Sequence, residues 1–255
     1  MQQYSSPADV DLSFTRDPLF TFDEKRHLYR YAGKILDSVS KVKRELSVPF
    51  DKKRIAGYVA RREGRTVKAV LAEWEDKRDR ASRRGDMVHA CVERFLQTGE
   101  MPPLPAGHSL DADDEWDVKR RLQEFQEWHA ANMTGLVIVG CEVQVYSLEL
   151  GIAGTLDTLA LREGYLYVGD WKTNGKFRTD GDGSKVYNNL LGPFRDLPDN
   201  EYNKFSLQVS LYRIILREHG IHTKGGFIVH LPEEGTPQVH KARDLRRPLW
   251  DYLAA

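Results

Sequence analysis

With 255 residues, and 38 Lys and Arg balanced by 38 Asp and Glu, the chain can form one large or two small domains with a buried core, and any phosphate-binding surface must be a local patch. Two cysteines, Cys91 and Cys141, exclude a disulfide framework, a four-thiolate zinc site and a four-cysteine iron–sulfur cluster, and a reducing cytoplasmic setting is expected. No apolar run is long enough to span a membrane, and residues 1–18 lack the apolar core of a signal peptide.

Residues 1–20 read as a weakly ordered arm. LFTFDEKRHLYRYAGKILDSVS then predicts a short hairpin turning near Gly33, and Ser38 or Ser40 is placed to cap the helix that follows. Residues 51–98 read as helical: Val67, Val70, Leu71 and Trp74 fall at helical spacing, as do Met87, Val88, Cys91, Val92 and Phe95. Thr98 and Gly99, followed by Pro102 and Pro103, end that region. The acidic DADDEWD opens another helix through Leu122, Phe125 and Trp128, where its charges complement the helix dipole.

The pattern changes at Leu136. LVIVGCEVQVYSLEL, GIAGTLDTLALRE and GYLYVGDWKT predict three strands separated by glycine-containing turns. A polar loop over 174–200, a helix ending at Gly220, a last strand GGFIVHLP and a C-terminal helix around Pro248–Leu253 complete the chain. This order predicts an α/β fold, a central mixed sheet flanked by helices, with a helical N-terminal region. The expected organisation is an arm, hairpin and basic helical region over 1–80 and a core over 81–255, together forming one compact unit.

Two aspartates stand out. Asp157 and Asp170 lie on consecutive predicted strands whose turn falls near Arg162–Gly164, so a hairpin folded there sets them nearly opposite each other. Carboxylates that close repel unless a cation lies between them, and hard oxygen ligands suit Mg²⁺ or Mn²⁺. Asp170 and Lys172, two apart, point to one face of the strand and Trp171 to the other. A lysine beside such a carboxylate can orient water and offset charge on a phosphate. By itself D-x-K equally describes a surface salt bridge. On the preceding helix, Gly85 and His89 share a motif, and Glu93 follows His89 by four positions on the same face. On the later helix Gln208 and Tyr212 likewise share a face.

Taken in order, G-x-x-x-H, G-x-x-D, D-x-K and Q-x-x-x-Y in RGDMVHACVERF, GIAGTLDTLA, YVGDWKT and KFSLQVSLY resemble the RecB-like branch of the PD-(D/E)XK nuclease superfamily. HLYRYAGKILDSVSKV and LLGPFRDLPDNEYNKFSLQ add a likeness to phage-type exonucleases of that branch. The resemblance spans about residues 20–232. It implies a restriction-endonuclease-like core and a metal-dependent deoxyribonuclease. Asp157, Asp170 and His89 would be metal ligands, joined by the backbone carbonyl of Trp171, with Lys172 as catalytic lysine. Gln208 and Tyr212 would brace the site or touch DNA, and Glu142 would stand just behind the ligands. Glu93 acquires no role. Leu156 stands where many superfamily members carry proline, which is ordinary in this branch. The implied substrate is linear DNA with ends, in a bacterial or phage-infected cell, with a single-strand annealing or recombination protein as an expected partner. An endonuclease and a non-catalytic DNA-end binder of the same fold are the alternatives.

Residues 51–84 carry twelve Lys or Arg against six acids, a surplus leading directly into His89. It suits phosphate contacts, although i,i+4 pairing on a solvated face accounts for about half of these residues. Lys176, Arg178 and Lys185 would line the same channel. Tyr29 and Tyr31 share one strand face, where packing of the hairpin is the simpler role.

Overall fold

The computed structural model describes residues 2–255. Met1 of the expected arm lies outside them. The rest of the arm is not loose. It turns through two short 3₁₀ segments, Pro7–Asp9 and Ser13–Arg16, with Tyr4 and Val10 buried and the Tyr4 N–H donating to the Gly164 carbonyl at 2.9 Å. Its few apolar side chains join the main core, a gain in buried area that its polar composition conceals.

Strands β1 (Phe20–Asp23), β2 (Leu28–Tyr31) and β3 (Lys34–Ser38) form an antiparallel meander. The turn at Gly33 is where the pattern places it, but a second turn between β1 and β2 makes two hairpins rather than one. Ser38 caps α1 (Val39–Glu45) by accepting the Lys41 N–H at 3.0 Å. The helical stretch divides into α2 (Lys52–Glu63) and α3 (Val67–Thr98) at Gly64, which takes the left-handed conformation at φ 63°. Asp111 caps α4 (Ala112–Asn132), whose acidic first turn is as expected.

The three predicted strands are β4 (Val137–Ser147), β5 (Ile152–Arg162) and β6 (Tyr165–Lys172). They are followed by α5 (Glu201–Glu218), β7 (Thr223–His230), β8 (Gln238–Lys241) and α6 (Arg246–Leu253). The short strand β8 was not anticipated. It carries only Val239 as a strongly apolar residue and is held by pairing with β7. All eight strands form one mixed sheet, parallel at β3–β5 and β6–β7 and antiparallel elsewhere. Helices α1, α5 and α6 cover one face through the main core. On the other face, α3 and α4 enclose a second core around Phe125, Trp171 and Val229.

Strand β5 has β4 along one side. On its other side β3 pairs only with Ile152 and Ala153, and β6 with Thr158 to Arg162. Between them, residues 154–157 face a split in the sheet. Backbone groups there need other partners. The Tyr212 hydroxyl donates to the Thr155 carbonyl at 2.7 Å, and the Tyr29 hydroxyl meets Thr155 Oγ1 at 3.0 Å. Tyr29 is thus a packed residue, stacked on Phe22 and Phe20, and Tyr31 donates to Asp17.

Candidate active site

The split is lined from three elements. The β5–β6 hairpin pairs Thr158 with Gly169, and continuing that register sets Asp157 across from Asp170. Asp157 Oδ2 accepts the Trp171 N–H at 2.8 Å, replacing the strand partner missing there. Asp170 is 1% exposed. Strand alternation sends Trp171 into the second core, where its indole N–H donates to Thr158 Oγ1 at 2.8 Å, and turns Asp170 and Lys172 toward α5.

The Lys172 ammonium lies between the two carboxylates, 2.9 Å from both oxygens of Asp170 and 3.9 Å from Asp157 Oδ2. Gln208, from α5, donates its amide to Asp170 Oδ1 at 3.0 Å. Asp170 Oδ2, though buried and beside the ammonium, has no directed hydrogen bond. Burial pushes the Asp170 carboxyl upward against the pull of Lys172. Burial would also lower Lys172, but Asp170 and Asp157 outweigh it and hold the ammonium above its ordinary value.

Two glycines permit this closeness. A Cβ at Gly154 would lie 2.8 Å from the Tyr212 ring and 3.2 Å from Val39, so glycine lets α5 and α1 press against the strand. A Cβ at Gly85 would lie 2.8 Å from Thr173 Oγ1, so glycine seats α3 against the end of β6. One turn later on α3, His89 faces Lys172, Asp170 and the backbone of Trp171. Burial and then Lys172 lower it to about 4, so it is a neutral imidazole at physiological pH.

Glu142 lies on β4 beside Asp157, and its backbone is held at φ 48°, a conformation that is strained for a residue with a side chain. Although Glu142 is exposed on the strand, partial desolvation of its carboxyl, then the charges of Asp157 and Glu93, raise it to about 7. Glu93 accepts from Gln97 at 2.8 Å. A cavity of about 180 Å³ opens beside Glu142, Gly154, Gln208 and Tyr212. A larger cleft of about 700 Å³ between α5 and α6 holds none of these groups.

The structure therefore gathers Asp157, Asp170, Lys172, Gln208 and Tyr212 tightly, with His89 at the rim. Among the described residues, no three His, Cys, Asp or Glu side chains converge closely enough to hold an ion as they stand. The Lys172 ammonium fills the space between the aspartates.

Two groups of the site escaped the sequence reading. Lys43, on α1, donates to Gln208 Oε1. Phe205, on α5, lies under both ammonium groups, 5.1 Å from Lys43 and 4.9 Å from Lys172. Neither stands in a pattern that marks it. Lys43 arrives only because β3 docks beside β5.

The basic region is largely self-compensated. Arg80 and Arg84 pair with Asp114, and Arg84 also with Asp117 and Glu233. Arg54, Arg62, Arg65, Lys77 and Arg78 pair with acids of α2 and α3 or their caps. Lys52, Lys53, Arg61, Lys68 and Arg83 form no ion pair among the described residues. In the polar loop, Arg178 is committed to Glu201 at 2.8 Å, while Lys176 and Lys185 line a shallow surface pocket.

No curated protein matches the chain significantly. Among solved structures it is similar to a candidate exonuclease from Eubacterium rectale, at 14% identity and a TM-score of 0.41, covering 67% of this chain and 64% of that one. The chain thus spans a little under two thirds of that protein's length. The family model of the PD-(D/E)XK nuclease superfamily matches residues 55–255, a stretch that holds Asp157, Asp170 and Lys172, and the chain belongs to that superfamily.

Proposed function

We propose that this nuclease is a divalent-metal-dependent DNA exonuclease that works from the ends of linear DNA, in recombination or repair in the cytoplasm of a bacterial or phage-infected cell. The observation that carries the catalytic part is the convergence of Asp157, Asp170 and Lys172 in the sheet split, braced by Gln208. The donor set fits a hard cation: two facing carboxylates, a buried Asp170 oxygen without a hydrogen bond and a neutral imidazole. Asp157, Asp170, His89 and the Trp171 carbonyl would hold Mg²⁺ or Mn²⁺, and the imidazole favours Mn²⁺. The ion would polarise the phosphate and lower the pKa of bound water.

The protein groups divide the remaining work. Lys172 turns its ammonium to the scissile phosphate and the attacking water, stabilising charge that grows in the transition state. Gln208 fixes the Asp170 carboxylate, and Tyr212 fixes the strand that carries Asp157. Glu142 lies across from Asp157 between the paired positions Cys141–Thr158 and Val143–Leu156, so its charge acts on the Asp157 carboxylate. End preference is supported by the pattern's likeness to phage-type exonucleases. An annealing or recombination protein that receives the remaining strand is the partner this reading anticipates.

The test is a gel of end-labelled linear and closed circular DNA, single- and double-stranded, with Mg²⁺, Mn²⁺ or excess chelator. Linear DNA should be degraded with either ion and circles should persist. Cutting of circles as fast as linear DNA would establish the endonuclease alternative. Activity undiminished by chelator would remove the metal.

A further inference from the structure

Lys43 lies outside residues 55–255, the stretch that matches the family, yet its ammonium sits inside the site. Burial, then the nearby Lys172, pull its pKa down to about 8. No carboxylate among the described residues pairs with it. Its one hydrogen bond goes to Gln208 Oε1, which leaves two of its three N–H donors unused. A half-buried cation with no carboxylate paired to it is costly; the second cation adds to that cost, and the more distant Asp170 and Asp157 offset only part of it. Phe205 offsets part of that cost with its ring under both ammonium groups. A side chain kept in such a place calls for an anion that arrives from outside.

Gln208 defines where that anion lies. Its carbonyl is taken by Lys43 and its amide by Asp170, so one side chain fixes the positions of the carboxylate and the second ammonium together. The cavity beside Gln208 is walled by Ser38 and Ser40 of the segment that carries Lys43. Neither lysine lines that cavity; the two ammonium groups lie instead over the Phe205 ring, 5.1 and 4.9 Å from its centroid, and a tetrahedral group with several charged oxygens placed beside them would meet both.

Resting on the nuclease reading above, we propose that Lys43 is a second phosphate-binding lysine, gripping a backbone phosphate of the DNA strand at or beside the linkage to be cut. Its contribution is to place the strand so that Lys172 meets the reacting phosphate. The competing role is internal: Lys43 could serve only to balance Asp157 and Asp170, without touching DNA.

A cycle between protein and DNA separates the two. Single phosphates near the end of a labelled strand are replaced, one at a time, by uncharged methylphosphonate. Binding is measured in an Asp157→Asn background, so that the strand stays intact, with Lys43, Lys43→Met and Lys43→Arg. Met keeps the apolar stem against Phe205, and thermal melting reports whether each variant folds. With Lys43 present, one methylphosphonate position should weaken binding about tenfold, the usual loss for one charge-assisted contact. Lys43→Met should bind unmodified DNA about tenfold more weakly and show no further loss at that position, and Lys43→Arg should recover part of both. Equal losses at that position with and without Lys43 overturn the proposal. So does a scan in which no position is sensitive with Lys43 present, a result that needs no folded variant. If the cycle holds but the unaltered protein never cuts DNA, the exonuclease reading falls and the phosphate contact stands.

Discussion

Removing the Lys172 ammonium tests how the site carries its charge. Lys172→Met keeps the stem of the side chain but takes away a cation lying 2.9 Å from both oxygens of Asp170 and 3.9 Å from Asp157. Asp170 is almost fully buried, and only the Gln208 amide remains bonded to it. Breaking a buried ion pair from one side costs about 3–5 kcal/mol. The lower figure applies here, because Gln208 stays and Lys43 still contributes a favourable charge. The deficit should depend on pH. Without Lys172 the folded-state pKa of Asp170 rises further above its unfolded value, so the folded variant binds the extra proton and stability falls as pH rises through that window. Chemical denaturation in chelator at about pH 5 and about pH 8 should therefore show the larger loss at the higher pH. Saturating Mn²⁺ should return much of it by binding the folded state. Single-turnover cleavage should fall roughly a hundredfold or more even with the metal restored, since a well-placed electrostatic donor is worth several kcal/mol in the transition state. A variant as stable as the parent at high pH, or one destabilised equally at both, refutes the charge argument. Near-parental cleavage refutes the catalytic one.

Asp157→Asn and Asp170→Asn should each remove nearly all cleavage while DNA binding largely survives, as read by gel and by filter binding. Gly154→Ala should cost about 1–3 kcal/mol in denaturant unfolding and reduce cleavage, because the new methyl meets Tyr212 at 2.8 Å. An unchanged midpoint would mean that Tyr212 and Val39 can move aside. His89, held neutral down to about 4, takes up its proton more readily in the unfolded chain, so it contributes to a stability loss as pH falls from about 6.5 toward that value. His89→Gln should flatten this part of the metal-free stability profile, and an unaltered slope would contradict its burial.

Much of the site was legible because its signals are local. The two-residue period of a strand separates Lys172 and Asp170 from Trp171, and the short β5–β6 turn forces Asp157 across from Asp170. The four-residue period of a helix puts Gln208 and Tyr212 on one side of α5. Lys43 was not legible, because KVKREL reads as an ordinary solvated helix. Its importance depends on a two-residue parallel contact between β3 and β5 that no local pattern encodes. The arm and β8 were missed for a related reason, since both are held by pairing and burial against distant elements rather than by their own propensity. The basic segment showed the reverse. Composition revealed its surplus, while geometry shows how much of it is spent on α4 and the β7–β8 turn.

The contact between Lys43 and Gln208 joins residues 165 positions apart in the chain. During synthesis, a ribosome must extrude nearly all of the sheet before those two side chains can meet, and β6 cannot be flanked on both sides until β7 has also emerged. Closing so long a segment is among the slower steps available to a folding chain. A partly made or partly unfolded molecule would thus carry the aspartates without the amide that holds Asp170. The hairpin that carries Asp157, Asp170 and Lys172 gains its Gln208 brace only once α5 has emerged and packed.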